Sequence, residues 1–244
     1  MSIRSPQRSA AEREAAAPAP PRRRLPRGAR AARIVEAAAR LFAERGFDAS
    51  TRELAARLGV TQALLYRYFP SKEQLIERVF ESSFQNIARR TVDEALLDRT
   101  RPLEQRLVDF YQRRVAGISA TAMRLFVRAG LDQQGLAGRV SVPLTETVLA
   151  PIVEELRHEV GLPDGAQRPL MRGERELVMT LHGALMFLAI RKHVYGMPMP
   201  DDLSDLVALQ VRAFLPGARD ELRRLHATPD QPTLTVRQLD RRRR

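Results

Sequence analysis

Helical periodicity dominates the chain between residue 30 and residue 225. Apolar residues recur three and four positions apart at Ile34, Ala38, Leu41 and Phe42, which is the spacing of one face of an amphipathic helix. Six further helices are predicted over residues 71–97, 102–119, 121–130, 140–160, 172–195 and 202–225. Glycine and proline clusters separate them, and no segment has the strict alternation of a strand. The pattern therefore predicts an all-α protein.

Two short helices joined by a tight turn are predicted in the segment that begins at Ser50. Ser50 and Glu53 have the spacing of a capping box, in which the serine oxygen accepts from the Glu53 amide and the glutamate reaches back. Gly59 supplies the backbone angles of the turn, and Thr61 is placed to cap a second helix that stops at Pro70. This arrangement has the geometry that seats a recognition helix in the major groove of DNA.

The second of these helices has a core face and an outward face. Leu65 and Phe69 are four positions apart and are predicted to face inward. The outward side then carries Gln62, Ala63, Tyr66 and Arg67. A glutamine in the first turn of such a helix can pair with an adenine edge through two hydrogen bonds.

The formal net charge of +12 is concentrated at the two ends of the chain. Residues 1–30 carry eight arginines against two glutamates, and residues 227–244 carry five arginines against two aspartates. Neither end has apolar periodicity, so we predict a disordered basic arm over residues 1–28 and a disordered basic tail over residues 227–244. The charge supports affinity for DNA without locating the residues that read it.

Several arginines immediately precede the first helix and are candidates to enter an adjacent minor groove. They are Arg22, Arg23, Arg24, Arg27 and Arg30. A solvated arm without any DNA contact accounts for the same composition equally well. The sequence leaves open whether either tail contacts DNA.

Composition and motifs argue against a membrane protein and against an enzyme. The longest apolar stretch, residues 177–190, is interrupted by polar residues and is shorter than the roughly 20 residues of a membrane span. The start of the chain has no apolar signal region, so a cytoplasmic, nucleoid-associated protein is expected.

A chain without cysteine cannot have disulfides, thiolate zinc sites or cysteine nucleophiles. His158 and Glu159 begin like a zinc-protease motif, but Leu162 replaces its second histidine. We predict no catalytic site, no metal site and no cofactor.

The segment from Thr51 to Lys72, together with the helix from Ile34 to Phe47, closely resembles the signature of the TetR/AcrR family of transcriptional regulators. It includes a Leu-Tyr-x-Tyr-Phe element that ends at Phe69 and the Ser-Lys-Glu element that follows Pro70. The resemblance implies a three-helix helix-turn-helix DNA-binding domain over residues 29–75. It also implies a larger helical ligand-binding and dimerisation domain over residues 76–226.

The resemblance assigns two groups of DNA contacts. The base-reading positions are Arg52, Gln62, Ala63 and Leu64. The phosphate contacts are Thr51, Tyr66, Tyr68 and Lys72. Many family members have glycine or proline in place of Ala63, and an outward Leu64 would contact a thymine methyl group.

Lys72 stands at a helix start, where free amides attract anions, although a plain solvated lysine is the alternative. Arg57 is expected to be solvated only.

In the family, the last two long helices of each subunit form a four-helix dimer interface, and residues 172–195 and 202–225 occupy that place. The predicted interface residues are Leu181, Ala184, Leu185 and Leu188, with Gly183 permitting close approach. The alternative is that this helix, apolar nearly all round, lies in the core of a single protomer.

Family members commonly bind a small apolar or aromatic inducer among the preceding helices. The candidate pocket residues are Phe110, Tyr111, Met123, Phe126, Met179, His182 and Met186. The alternative is that this stripe of methionines and aromatics packs the core, with His182 as a buried and satisfied imidazole.

The resulting hypothesis is a homodimeric repressor that binds a pseudo-palindromic operator of double-stranded DNA. A small inducer would release it by changing the separation of its two DNA-binding domains, which we call the reading heads. One alternative is a DNA-binding activator or scaffold without small-molecule input. A second alternative, an enzyme built on helices, has no supporting constellation of residues.

Overall fold

The computed structural model describes residues 26–89, 94–131 and 144–227, and within these ranges the chain is helical and contains no strand. The helices are α1 (Arg27–Arg45), α2 (Thr51–Leu58), α3 (Gln62–Tyr68), α4 (Lys72–Arg89), α5 (Glu94–Leu97), α6 (Leu103–Ala116), α7 (Ala120–Leu131), α8 (Ala150–Glu159), α9 (Arg172–His193) and α10 (Ser204–Ala227). One π-helical turn, Thr145–Leu149, runs directly into α8. The predicted all-α fold is confirmed. No helix in the described ranges is both long and apolar enough to span a bilayer.

Four predicted segments meet the limits of the described residues, and one of them, the helix predicted over residues 140–160, is described only from residue 144 onwards. The helix predicted over residues 71–97 corresponds to α4 and the short α5, and the residues between the two lie outside the described ranges. Most of the arm, with Arg22, Arg23 and Arg24, and nearly all of the predicted tail lie outside them as well. Because α1 begins at Arg27, the last two residues assigned to the arm belong to a helix.

Local capping sets the ends of the short helices as the sequence predicts. The Ser50 hydroxyl accepts from the Glu53 amide at 3.1 Å, and the Thr61 hydroxyl accepts from the Leu64 amide at 3.2 Å. Gly59 ends α2 with a φ of +65°, a left-handed conformation that a residue with a Cβ adopts only at a cost. These caps fix where α2 stops and where α3 begins, and so fix the angle of the turn.

The N-terminal core is formed by side chains of α1 to α4 together with side chains of α7. Ile34, Leu41 and Phe42 of α1 are almost completely buried, as predicted, and they pack with Leu54 and Leu65 of the next two helices. The rest of this cluster comes from α4 and α7, through Leu75, Ile76, Val79, Phe80, Leu125 and Ala129. The N-terminal helices therefore share their core with α7, which lies far along the chain.

The second core lies among α5, α6, α8, α9 and α10. Its buried apolar side chains include Leu96, Leu107, Phe110, Tyr111, Leu149, Ile152, Val178, Leu181, Leu185, Leu188, Val207, Val211 and Leu222. Two buried carboxylates anchor charged side chains at its margin. Glu155 accepts from Arg106 at 2.5 Å and from the more exposed Arg99 at 2.9 Å. Glu174 accepts from Arg157 at 2.5 Å and pairs with His226 at 2.8 Å. Arg106 and Arg157 thus each have a carboxylate that offsets their desolvation.

Candidate nucleic-acid interface

Helix α3 presents a polar face because its apolar residues hold the other side against the core. Leu65 is 3% exposed, and Phe69 packs against the same cluster. Ala63, Tyr66 and Arg67 are exposed on the opposite side. The predicted division into inward and outward residues is therefore confirmed for α3, with Gln62 half-buried at its first turn.

Three of the predicted DNA contacts form one hydrogen-bonded chain across the surface of α2 and α3. The Gln62 amide nitrogen donates to the Thr51 hydroxyl at 2.7 Å, and the Thr51 and Tyr66 hydroxyls are 3.2 Å apart. Because an amide nitrogen has two hydrogens, Gln62 keeps one of them for a base edge while it holds Thr51. The chain therefore positions the glutamine without consuming its capacity to pair with adenine.

The remaining predicted contacts surround this chain. Arg52 is exposed at the first turn of α2 and has no ion-pair partner in the described part of the molecule. Leu64 and Tyr68 are half-buried, and Lys72 is half-buried at the first position of α4. At that helix start the Ser71 hydroxyl accepts from the Gln74 amide at 3.2 Å.

Arg57 differs from its prediction as a solvated residue. Its guanidinium donates to Glu44 at 2.7 Å and to Glu53 at 2.9 Å, so it ties the end of α1 to α2. The hydrogen bond to Glu44 raises the pKa of Arg57 and lowers the pKa of Glu44. The Glu53 carboxylate thus binds Arg57, whereas the capping box predicted that it would reach back to the Ser50 amide. The ion pair between Arg57 and Glu44 holds α2 against the end of α1.

Comparison with known proteins identifies the two-helix unit formed by α2 and α3. Residues 34–79 match the family model described as bacterial regulatory proteins, tetR family. Over 84 residues the chain is 42% identical to the HTH-type transcriptional repressor Rv3405c of Mycobacterium tuberculosis, a match that covers 33% of this chain and 45% of the relative. The HTH-type transcriptional regulator YvaF of Bacillus subtilis is 32% identical over 83 residues, which are 33% of this chain and 44% of that protein. The helix-turn-helix of this chain is therefore of the TetR type.

The TetR fold extends beyond the segment that is similar in sequence. The chain matches less than half the length of these curated relatives. A TetR-like transcriptional regulator from Rhodococcus sp. RHA1 aligns with a TM-score of 0.59 at 21% identity, covering 80% of this chain and all of that one (100%). AmtR of Mycobacterium smegmatis aligns with a TM-score of 0.55 at 18% identity, covering 87% of this chain and 100% of that one. The shared fold is an N-terminal helix-turn-helix domain followed by a helical C-terminal domain.

Helix α7 links the two parts of the structure through arginine side chains that cap other helices. Arg128 donates to the Ala43 and Glu44 carbonyls at 3.2 and 3.0 Å, at the C-terminal end of α1. One turn earlier, Arg124 donates to the His193 carbonyl at 2.8 Å, at the end of α9. Cations at helix C-termini satisfy orphan carbonyls and interact favourably with the helix dipole. Sequence analysis did not single out either arginine, because their partners lie 85 and 69 positions away.

The seven predicted pocket residues do not all come together. Phe110, Tyr111 and His182 lie at one place, with the Tyr111 and His182 ring centroids 6.1 Å apart. Met179 and Met186 flank His182 on α9 and pack against the same core. Met123 is buried within α7. Phe126 lies apart from the others, because its ring packs against Phe84 of α4 at 6.1 Å and is 37% exposed.

A polar cleft of about 200 Å³ opens nearby, between α6, the end of α9 and the start of α10. Gln112, Lys192, His193, Asp201 and Asp202 are among its lining residues, and it includes none of the seven. Within the described ranges, no three His, Asp or Glu side chains are grouped as metal ligands.

The four predicted interface residues of α9 lie on two different faces. Leu181, Leu185 and Leu188 are at most 2% exposed and belong to the protomer's own core, as the alternative interpretation had it. Ala184 is exposed beside Gly183. The exposed surface of α9 therefore lies on the side of Ala184 and not on the side of the three leucines.

Proposed function

We propose that this protein is a dimeric transcriptional repressor of the TetR family that holds a pseudo-palindromic operator in the cytoplasm, at the nucleoid. The observation that carries the proposal is the chain of Gln62, Thr51 and Tyr66 on the exposed face of α3, next to the exposed Arg52. The M. tuberculosis relative bears the name of a repressor, which supports this sign of regulation. The family is one of regulators, and we propose no catalytic activity.

The proposed DNA contacts fall into two groups with different physical roles. Arg52, Gln62, Ala63 and Leu64 would meet base edges, because they occupy the first turns of α2 and α3. Thr51, Tyr66, Tyr68 and Lys72 would bind phosphates around that site. Phosphate contacts set the affinity for every sequence, whereas base contacts set the preference among sequences.

The proposed dimer interface is the exposed side of α9 together with the neighbouring side of α10. Phe187 is 47% exposed on α9 and Leu209 is 56% exposed on α10. Small residues surround them and allow backbones to approach closely, namely Gly183, Ala184, Ala213 and Gly217. Two such helix pairs would bury their apolar side chains in a four-helix interface.

The proposed release step depends on α7. This helix contributes Leu125 and Ala129 to the DNA-binding core and contacts the end of α9 through Arg124. A ligand that binds among α6, α7 and α9 can therefore bias the position of the reading head. Near-complete switching requires the ligand to favour the released shape by about 5.5 kcal/mol.

Operator binding by variants tests the division of roles. Operator sequences are first selected from genomic fragments, and affinities for cognate and scrambled duplexes are then measured across a salt series. We expect Arg52→Ala and Gln62→Ala to weaken cognate binding by about 1–3 kcal/mol with little effect on the scrambled duplex. Lys72→Ala is expected to weaken both duplexes alike and to reduce the salt slope by about 1.

Arg223→Ala, an exposed arginine on α10, is the control and should change neither affinity. If all three interface variants weaken both duplexes equally, the separation into base and phosphate contacts is incorrect. If no duplex is preferred over random DNA, the proposed function itself fails.

A further inference from the structure

Three polar side chains between α6 and α9 are buried without hydrogen-bond partners. The Tyr111 hydroxyl, one terminal nitrogen of Arg114 and Nδ1 of His182 are buried atoms without a partner, and among the described residues the side-chain oxygen of Gln210 on α10 is a fourth such atom. Tyr111 is fully buried and His182 is 8% exposed. Buried polar atoms are paired in the great majority of cases, so three orphans in one place require an explanation.

These three residues form one group, which we call the Tyr-Arg-His cluster. Tyr111 and Arg114 are three positions apart on α6 and so share a face of that helix. The Tyr111 and His182 ring centroids are 6.1 Å apart, and the Arg114 guanidinium lies 5.5 Å from the Phe110 ring centroid. The charge on Arg114 is also close enough to His182 to act on its pKa.

All members of the cluster can donate a hydrogen bond at neutral pH. Burial, together with the charge on Arg114, lowers the pKa of His182 to about 4, so its imidazole is neutral and has one N–H. Burial raises the pKa of Tyr111, so its hydroxyl keeps the proton. A guanidinium has only donors. The Arg114 guanidinium therefore has no anionic acceptor, because the hydroxyl and the neutral imidazole offer it only uncharged lone pairs.

The other buried arginines of this domain show what Arg114 is missing. Arg106 is paired with Glu155, and Arg157 is paired with Glu174. No carboxylate in the described part of the chain pairs with Arg114. Leaving a largely buried cation unpaired is costly, and groups that are complete only with a ligand commonly lower the stability of the free protein.

We propose that the Tyr-Arg-His cluster binds the carboxylate of a monoanionic small molecule with an apolar body. A single guanidinium balances one negative charge, and the hydroxyl and imidazole N–H complete the donors around a carboxylate. The Phe110 ring and the partly buried Met179 and Met186 supply the apolar surroundings. This inference rests on the proposed function, since it names the chemical class of the effector.

Calorimetric titration of the full chain, without DNA, tests the chemical class. The probes are acetate, benzoate and octanoate, each against its neutral amide. We expect at least one carboxylate to bind and its amide to bind at least roughly tenfold more weakly, because a charged acceptor roughly doubles the strength of a hydrogen bond. Arg114→Met should weaken the carboxylate by a similar factor, whereas Arg113→Met, on the exposed neighbouring position, should not. Binding of no carboxylate, or equal binding of acid and amide, overturns the proposal.

The stability of the ligand-free protein gives a second readout that needs no probe. Arg114→Met removes an unpaired buried cation, so we expect its melting temperature to rise by about 2–4 °C. Arg106→Met removes a paired one and should lower it. If Arg114→Met lowers the melting temperature as Arg106→Met does, Arg114 is a structural residue and the proposal fails.

DNA binding separates failure of this inference from failure of the proposed function. Arg114→Met should bind the operator as the parent chain does, and the bound carboxylate should release only the parent. A carboxylate that binds without releasing DNA supports the ligand class and contradicts the release step. Operator binding without any carboxylate binding overturns this inference and leaves DNA binding by the reading head supported.

Discussion

A single imidazole, His182, should determine part of the pH dependence of stability. Its folded-state pKa is lowered to about 4 by burial, with the nearby charge of Arg114 acting in the same direction, whereas an unfolded histidine titrates near pH ~6.5. As the pH falls below that value, the unfolded chain takes up a proton that the folded chain does not. The stability present above pH ~6.5 is therefore lost progressively as the pH falls towards 4.

Between pH 7 and pH 5 the unfolding free energy of the parent should fall by about 2 kcal/mol more than the unfolding free energy of His182→Asn. Urea unfolding at the two pH values measures this difference. His158→Asn, at an exposed position on α8, is the matched control and should retain the parent's pH dependence. Identical pH dependence of the two variants would mean that His182 is protonated in the folded protein.

For single residues, the structural features that depend on nearby positions in the chain are predictable from the sequence. The caps at Ser50 and Thr61 and the left-handed Gly59 are all predicted, because each depends on residues within three or four positions. Arg57 and Arg128 are not, since their partners are 13 and about 85 positions away and only the tertiary fold brings them together. Long-range ion pairs have no periodic signature in the chain.

Among the helices, α7 contributes side chains to the N-terminal core and also contacts the end of α9 through Arg124, so it links the two parts of the structure. Its Leu125 and Ala129 pack under the reading head, while Arg128 caps α1. We expect Arg128→Ala to loosen the orientation of the head without changing α3 itself. Two heads must match two half-sites at once, so affinity for the full palindrome should fall by roughly tenfold, about 1.4 kcal/mol.

Affinity for an isolated half-site should stay unchanged in Arg128→Ala, whereas Gln62→Ala should weaken both full-site and half-site binding. Fluorescence anisotropy with the two duplexes measures the difference. A proportional loss on both duplexes would show that Arg128 supports the fold of the head rather than its placement.

Helix α9 shows where an apolar pattern stops being informative. Because residues 177–190 are apolar nearly all round, their periodicity does not distinguish the side that meets the protomer core from the side that meets a partner. Leu181, Leu185 and Leu188 face the core, and Ala184 faces outward. The sequence could predict that this helix is buried in the assembly, but only tertiary packing selects its faces.

The whole molecule combines a helix-turn-helix that is predictable from sequence with a C-terminal helical domain whose buried polar group is not. The helix-turn-helix is fixed by caps and by a contiguous motif, so its residues could be assigned in advance. The Tyr-Arg-His cluster joins helices about 70 positions apart, and its significance lies in missing partners, which no sequence pattern reveals. In the proposed ligand site, the residues that select the ligand are thus far apart in the chain.

The proposed assembly of two protomers is the property on which the proposed operator binding would depend most directly. Ala184 is exposed at the centre of the proposed interface, so Ala184→Arg would place a long charged side chain between closely packed helices. Burying an unpaired charge there should weaken the dimer by about 3–5 kcal/mol, which is more than a hundredfold. Sedimentation equilibrium measures this shift, and affinity for the palindromic operator should fall with it while half-site affinity remains.

Ala116→Arg, at an exposed alanine of α6, should leave the dimer intact. Leu185→Ala should instead lower the unfolding free energy by about 2–5 kcal/mol, since Leu185 lies in the protomer core. If Ala184→Arg dimerises as tightly as Ala116→Arg, the two protomers meet through another surface.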